Sequence, residues 1–201
     1  MSFRKEIKYR LSLSDQKILK NKLISVGLKK LYPKRKISSI YFDTKNLSFH
    51  LNSEEGVLPR KKIRIRWYDD NYKELTKETK ISSIEGRYKI SKPIIYKNFP
   101  DILKMQIIDK EYGILKPKIL ISYFRDYFIL KKIRLTFDSE IKYKNLKSRY
   151  QLVKYEKECV MEVKSDFKVE EDYIQKLIEY PTSRFSKYSR GVQLTKLTQK
   201  I

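Results

Sequence analysis

Charged side chains fall on every second position in seven strand-like stretches, with apolar residues between them. The clearest runs from residue 62 to 67. Lys62, Arg64 and Arg66 share one face there, and Ile63, Ile65 and Trp67 share the other. Successive side chains of a β-strand point to opposite faces of the sheet. The same alternation recurs at Glu6 and Lys8, Glu78 and Lys80, Arg87 and Lys89, Tyr123 and Arg125, Arg134 with Thr136 and Asp138, and Glu162 and Lys164. One charged face can be solvated surface. This many, with arginines and acids mixed, point to a sheet whose polar face is a working surface for a strongly anionic ligand.

The total charge agrees with that class of ligand. Lys and Arg number 47 against 24 acids, a net charge of +23, which favours nucleic acid, anionic membrane or phosphate chains. Genome-driven lysine enrichment would raise the same total, so charge indicates a class without choosing within it. The 201 residues, 40% hydrophobic and 13% aromatic, are expected to form a single domain over 1–201 with a real core. Cys159 is the only cysteine and lies among Val160, Met161 and Val163; it reads as a small core residue. His50, the only histidine, lies beside a turn-like stretch at 52–56 and is expected on the surface. There is no Walker-type loop, zinc-ligand spacing or dinucleotide fingerprint. No apolar run is long enough to span a membrane and no signal-peptide pattern opens the chain, so the expected location is the cytoplasm.

Eight strands are expected, at about 3–10, 37–43, 60–68, 73–81, 87–92, 118–127, 132–138 and 156–165. Short polar turns between most of them suggest an antiparallel meander or barrel. Three helices flank them. The first is capped near Ser14 and Asp15, buries Ile18, Leu19, Leu23 and Val26, and ends at Gly27. The second opens at Pro100 and Asp101, around Ile102, Leu103, Ile107 and Ile108. The third begins at Glu170 and Glu171 and stops before Pro181. A short basic helix or turn follows at 184–189.

Cations two apart on a strand lie about 7 Å apart and, at an effective dielectric of about 20, repel by roughly 2.4 kcal/mol. On an exposed face salt screens most of that. In a closed barrel, only interleaved acids or a bound anion make the crowding tolerable. The acids are present in phase: Glu6 by Lys8, Glu78 by Lys80, Asp138 by Arg134 and Glu162 by Lys164. Cations for phosphate and carboxylates for a divalent metal suit phosphoryl transfer. A solvated row of cross-strand salt bridges satisfies the same pattern, and the alternation alone leaves both readings open.

Eight motifs in order are more specific: residues 4–9 (RKEIKY), 40–44 (IYFDT), 60–68 (RKKIRIRWY), 78–80 (ETK), 123–125 (YFR), 134–138 (RLTFD), 161–164 (MEVK) and 185–188 (FSKY). Together, over about 3–191, they resemble the VTC domain, the polyphosphate polymerase branch of the triphosphate tunnel metalloenzymes. The resemblance implies an α+β fold built on a closed, eight-stranded antiparallel barrel, the triphosphate tunnel, with flanking helices and inward-facing charges. It implies transfer of the ATP γ-phosphoryl group to a polyphosphate chain, assisted by Mn²⁺ or Mg²⁺. Carried over by motif, Arg64 and Arg66 would grip phosphate oxygens, and Lys8, Lys80, Arg125 and Arg134 would neutralise the rest. Glu162 would hold the metal and Tyr123 would hydrogen-bond a phosphate. Ser186 and Lys187 would deliver donors from a small helix. Arg87 and Lys89 match a less constant basic pair, and Lys164 serves equally as a salt-bridge partner of Glu162. Tyr41, Phe42 and Trp67 read as packing, Asp43 as the start of a turn, and Glu6 as a metal ligand or a partner of Lys8.

Lys8 stands where the CYTH branch of the superfamily repeats glutamate, which favours a polymerase over triphosphatases and cyclases. Export and regulation would then require a separate membrane or regulatory partner. Two alternatives remain. One is a tunnel triphosphatase in which water is the acceptor; the other is a non-catalytic polyanion- or nucleic-acid-binding module. Trp67 and Phe124 fall opposite the arginines beside them, so stacking on nucleic acid is not expected.

Overall fold

The alternating runs pair as antiparallel strands. A computed structural model describes residues 4–95, 99–148 and 152–197; residue 3, the expected start of the first strand, lies outside them. The strands are β1 (Arg4–Leu11), β2 (Lys29–Asp43), β3 (Arg60–Tyr68), β4 (Leu75–Ser83), β5 (Gly86–Ile94), β6 (Ile107–Asp109), β7 (Gly113–Leu130), β8 (Ile133–Asn145), β9 (Val153–Tyr155) and β10 (Cys159–Asp166). The helices are α1 (Leu13–Ser25), α2 (Ser48–Glu55), α3 (Phe99–Lys104), α4 (Glu171–Ile178) and α5 (Lys187–Leu194). The fold is α+β, rich in antiparallel sheet.

The hydrogen-bonded path runs β1-β10-β8-β7-β2-β3-β4-β5, with β6 added on β7 and β9 on β8. This corrects the expectation of a closed eight-stranded barrel: the sheet has ten strands, and among the described residues its path is open, ending at β1 and β5. The chemistry of β5 explains its edge. It is exposed along most of its length, Pro93 has no N–H to donate to a further strand, and Arg87, Lys89 and Lys92 repel strand addition. The meander β3-β4-β5 follows chain order, whereas β1 pairs with β10 and β7 with β2, partners far apart in sequence.

The chain divides into two compact units. Met1–Arg35, Tyr123–Ile141 and Glu156–Phe185 form the first, and Lys36–Ser122, Lys142–Tyr155 and Ser186–Ile201 the second. The core of the first gathers Leu19 and Leu23 from α1, Ile174 and Ile178 from α4, and the apolar face of the strands, including Tyr9, Leu135, Phe137, Met161 and Val163. Helix α1 is capped two residues earlier than the expected Ser14. Ser12 caps it, accepting from the Asp15 amide at 3.0 Å, while Ile18 and Val26 stay exposed. Cys159 is a fully buried core residue.

The second unit packs Ile40 and Phe42 of β2, Ile63, Ile65 and Trp67 of β3, Phe49 of α2 and Ile102 of α3 into its own core. Here three expectations fail. Ile107 lies in β6, not in a helix. The stretch around His50 is helix α2, not a turn, and His50 is buried rather than on the surface. The cause is Asp43. Its fully buried carboxylate accepts from the Phe49 and His50 amides at 2.9 and 3.0 Å, and Thr44 Oγ1 accepts from the Ser48 amide at 3.0 Å, so these two residues supply the helix start with acceptors. Left-handed Leu47 (φ 59°) precedes the helix and left-handed Gly56 (φ 77°) follows it.

Helix α5 fits its unit through a glycine. A Cβ on Gly191 would lie 2.6 Å from Ile119 Cδ1 and 2.7 Å from Tyr143 Cδ1, and both neighbours are fully buried. Gly191→Ala is expected to destabilise the protein by about 1–3 kcal/mol through overpacking. A lowered urea midpoint at unchanged slope would show it; an unaltered midpoint would mean that α5 can shift freely.

Candidate functional site

In the second unit the strand register collects the expected cations on one face. Lys62 pairs with Lys80, which pairs with Lys89; Arg64 pairs with Glu78; Arg66 pairs with Thr76; Arg87 pairs with Ser82. With Arg60, which also pairs with Ser82, seven cations thus share a face with one in-register carboxylate, Glu78. That carboxylate is shared three ways. Arg64 meets its Oε2 through Nε and Nη2, both at 2.6 Å, Arg66 Nη1 lies 3.7 Å from the same oxygen, and Lys89 Nζ lies 2.5 Å from Oε1. Burial alone would raise the acid, but Arg64, Arg66 and Lys89 hold it down to about 2. Neither arginine fans into solvent: Arg66 is 7% exposed and donates to Ser39 Oγ at 3.2 Å. Lys80 and Arg87 are exposed.

Helix α5 supplies Ser186 and Lys187. Ser186 is the N-cap, accepting from the Ser189 amide at 3.3 Å and from Lys62 Nζ at 2.9 Å. Its first turn contains no acid and begins with Lys187, so a cation sits at the positive end of the helix dipole.

The first unit brings together the other expected residues. Lys8 pairs with Glu162, which pairs with Thr136; Glu6 pairs with Lys164, which pairs with Arg134. Lys164 Nζ lies 2.8 Å from Glu162 and 3.7 Å from Glu6. Lys8 Nζ lies 3.3 Å from Glu6 and donates to the Phe185 carbonyl at 2.9 Å. Burial would raise Glu162, but Lys164, Arg125 and Lys8 hold it well below the carboxylate range. Asp138 receives Arg125 in a two-pronged pair at 2.6 and 2.7 Å, and the guanidinium lies 5.4 Å from the ring centre of buried Tyr123. Arg125 is therefore engaged by a carboxylate as well as facing the polar side.

A family model for the VTC domain matches residues 3–112 and 96–196. The chain belongs to the VTC domain family. No curated protein matches the sequence. Among solved structures, the fold is similar to the PH1012 protein of Pyrococcus horikoshii OT3, with 11% identity, 90% of this chain and 94% of that one covered, and a TM-score of 0.56. A conserved hypothetical protein from Pyrococcus furiosus gives 14%, 92%, 99% and 0.56 for the same measures. HpAC1 from Hippeastrum, titled an adenylyl cyclase with a dominant triphosphatase activity, gives 16%, 95%, 96% and 0.56. At these identities the likeness concerns fold alone.

This VTC domain has a donor set that suits a divalent ion sharing its ligands with substrate. Glu6 and Glu162 both reach Lys164. Thr136 Oγ1, on the register partner of Glu162, is buried without a hydrogen-bond partner. A bound ion or its water would satisfy that oxygen. Among the described residues no group of three His, Cys, Asp or Glu forms a self-sufficient cage. Mg²⁺ and Mn²⁺ do not need one where one or two carboxylates are completed by phosphate and water.

Two residues of the VTC domain's polar faces, Tyr41 and Glu78, are bound to Arg64 in ways that strand alternation does not show. Tyr41 stands opposite Arg64 on β2 and accepts from its Nη1 at 2.7 Å. The signal was the shared phase of Ser39, Tyr41 and Asp43, masked by the apolar look of the IYF run. Glu78 carried the alternation but was not singled out. Its lowered pKa gives a test. The folded protein binds that proton less tightly than the unfolded chain, so the ion pairs stabilise fully above the ordinary carboxylate range and weaken as pH falls toward 2. Urea midpoints of the wild type are expected to drop over that window, and those of Glu78→Gln to vary less; matching profiles would remove Glu78 as the keystone.

Proposed function

We propose that this VTC domain is a metal-dependent phosphotransferase that passes the γ-phosphoryl group of ATP to a growing polyphosphate chain, with residues 1–201 acting as one functional domain. The observation that carries the reading is the gathering of seven cations around the single carboxylate Glu78 on one strand face, in a chain of the VTC family. A triphosphate is the anion whose closely spaced charges match cations at strand spacing. Lys187 at the start of α5, with no acid in its turn, adds a position that an anion would stabilise.

In this reading Arg64 and Arg66 bind phosphate oxygens, held in place by Glu78 and Ser39, so little conformational freedom is lost on binding. Lys80, Arg87, Lys89, Lys187 and Ser186 supply further donors from the same unit. In the first unit, taken by itself, Lys8, Arg134, Lys164, Tyr123 and Arg125 are the phosphate-oxygen donors by motif. Glu162, with Glu6, would hold Mn²⁺ or Mg²⁺, which supplies charge neutralisation at the phosphoryl oxygens when bound. A terminal oxygen of the polyphosphate chain attacks the γ-phosphorus, the bond to the β,γ-bridging oxygen breaks, and ADP leaves with that electron pair.

Hydrolysis is the second reading. It needs only that water replace the chain end as acceptor at the same cations. The nucleic-acid module is the weakest: Trp67 is buried against Phe99 at 5.8 Å and offers no stacking surface. Among the described residues no helix is long and apolar enough to cross a membrane.

Incubation with ATP and Mn²⁺, with products resolved by size, is expected to yield long polyphosphate and ADP. Arg64→Ala and Glu162→Ala are each expected to reduce that rate about 10²–10³-fold. Orthophosphate without chain growth would select hydrolysis, and variants of undiminished rate would overturn these residue assignments.

A further inference from the structure

Tyr41 is buried, 7% exposed, yet lies among cations. On β3, Arg64 donates to its hydroxyl at 2.7 Å, and Arg66 is the next cation on the same strand face. From α5, Tyr188 stacks on its ring with centres 5.0 Å apart and planes 10° from parallel, and Lys187 adds positive charge. Glu78 on β4 holds the other side of the Arg64 guanidinium. Tyr188 is anchored in turn, its hydroxyl donating to Asp43 Oδ2 at 2.6 Å. Asp43 is pinned by the amides at the start of α2. His50 of α2 meets the Tyr188 ring edge-on at 6.2 Å.

We propose that Tyr41 is a positioning residue for triphosphate binding, an acceptor that clamps the Arg64 guanidinium between itself and Glu78 and ties it through Tyr188 to Asp43. The proposal rests on the phosphate-binding role given to Arg64 above. The guanidinium has a planar fork of donors in fixed directions; with Nε and Nη2 committed to Glu78 and Nη1 to Tyr41, its orientation is set before ligand arrives. Tyr41 is also an acid. Burial raises its hydroxyl, but Arg64, Arg66, the Arg64 hydrogen bond and Lys187 outweigh burial and bring it down to about 8. Below that pH the face keeps its full positive charge. Above it a phenolate stands beside Arg64, cancels part of that charge and repels phosphate.

The probe is inorganic tripolyphosphate, titrated into the full chain without metal between pH 6.5 and 9.5. Wild-type affinity is expected to fall as pH rises through about 8, with tyrosinate absorbance appearing in step. Tyr41→Phe is expected to bind roughly tenfold more weakly at pH 7, the effect of losing one hydrogen bond to a charged group, and to lose the alkaline decline. In an Arg64→Lys background the same substitution should change little, since its route of action is already altered. Wild-type binding with an identical Tyr41→Phe profile would overturn the role of Tyr41 and leave the phosphate-binding face standing. A wild type that does not bind tripolyphosphate would overturn both. Circular dichroism of Tyr41→Phe at pH 7 separates lost orientation from lost fold: a native spectrum with weakened binding supports the clamp, and weakened binding only with lost structure overturns it.

Discussion

Crowding of like charge on a strand face is the constraint from which the rest of this molecule follows. Cations at alternate positions of neighbouring paired strands are too close to be left to themselves away from bulk water. The second unit meets this with one buried carboxylate. Glu78 reaches Arg64, Arg66 and Lys89 at once, so its loss would leave one buried and one half-buried guanidinium without this shared carboxylate. A buried ion cluster of this kind is held together by its partners more than it adds to net stability. What it does is fix directions, and direction is what an anion-binding face requires.

The two units handle charge differently. The face on β3, β4 and β5 is strongly cationic, with Glu78 as its in-register acid. The face on β1, β10 and β8 alternates sign: Glu6, Lys8, Glu162, Lys164, Arg134 and Asp138 nearly balance. Phosphate chemistry uses both kinds of surface, one to neutralise oxygens and one to hold a cation. Polar residues with no part in binding support them. Asp43 shows this best, since the same carboxylate starts α2 and anchors Tyr188.

Much of this was legible because strand parity is arithmetic. The run 60–68 coincides with β3, and each candidate cation on it, on β4 and on β10 lies on the face that alternation assigned. The failures have physical causes. The first half of β2, Lys29–Lys36, is a strand without an apolar face, so it carries no alternation to detect. β6 and β9 are three residues long. Helix α2 has no side-chain bond from its N-cap residue, Leu47; its acceptors are Asp43, from the end of the preceding strand, and Thr44. Tyr41 looked like a core residue because a phenol ring is apolar over most of its surface; only its hydroxyl belongs to the charged face.

By itself the sequence determined the antiparallel α+β class, the phase of every charged strand face and the kinship with the VTC family, because all three are properties of residue order. Tertiary structure alone decided which acid serves which cation and that the strand path stays open. It also decided that His50 is buried and that Tyr41 holds Arg64. Those outcomes depend on register between strands distant in the chain and on where unpaired backbone donors find acceptors, and neither is written in local spacing.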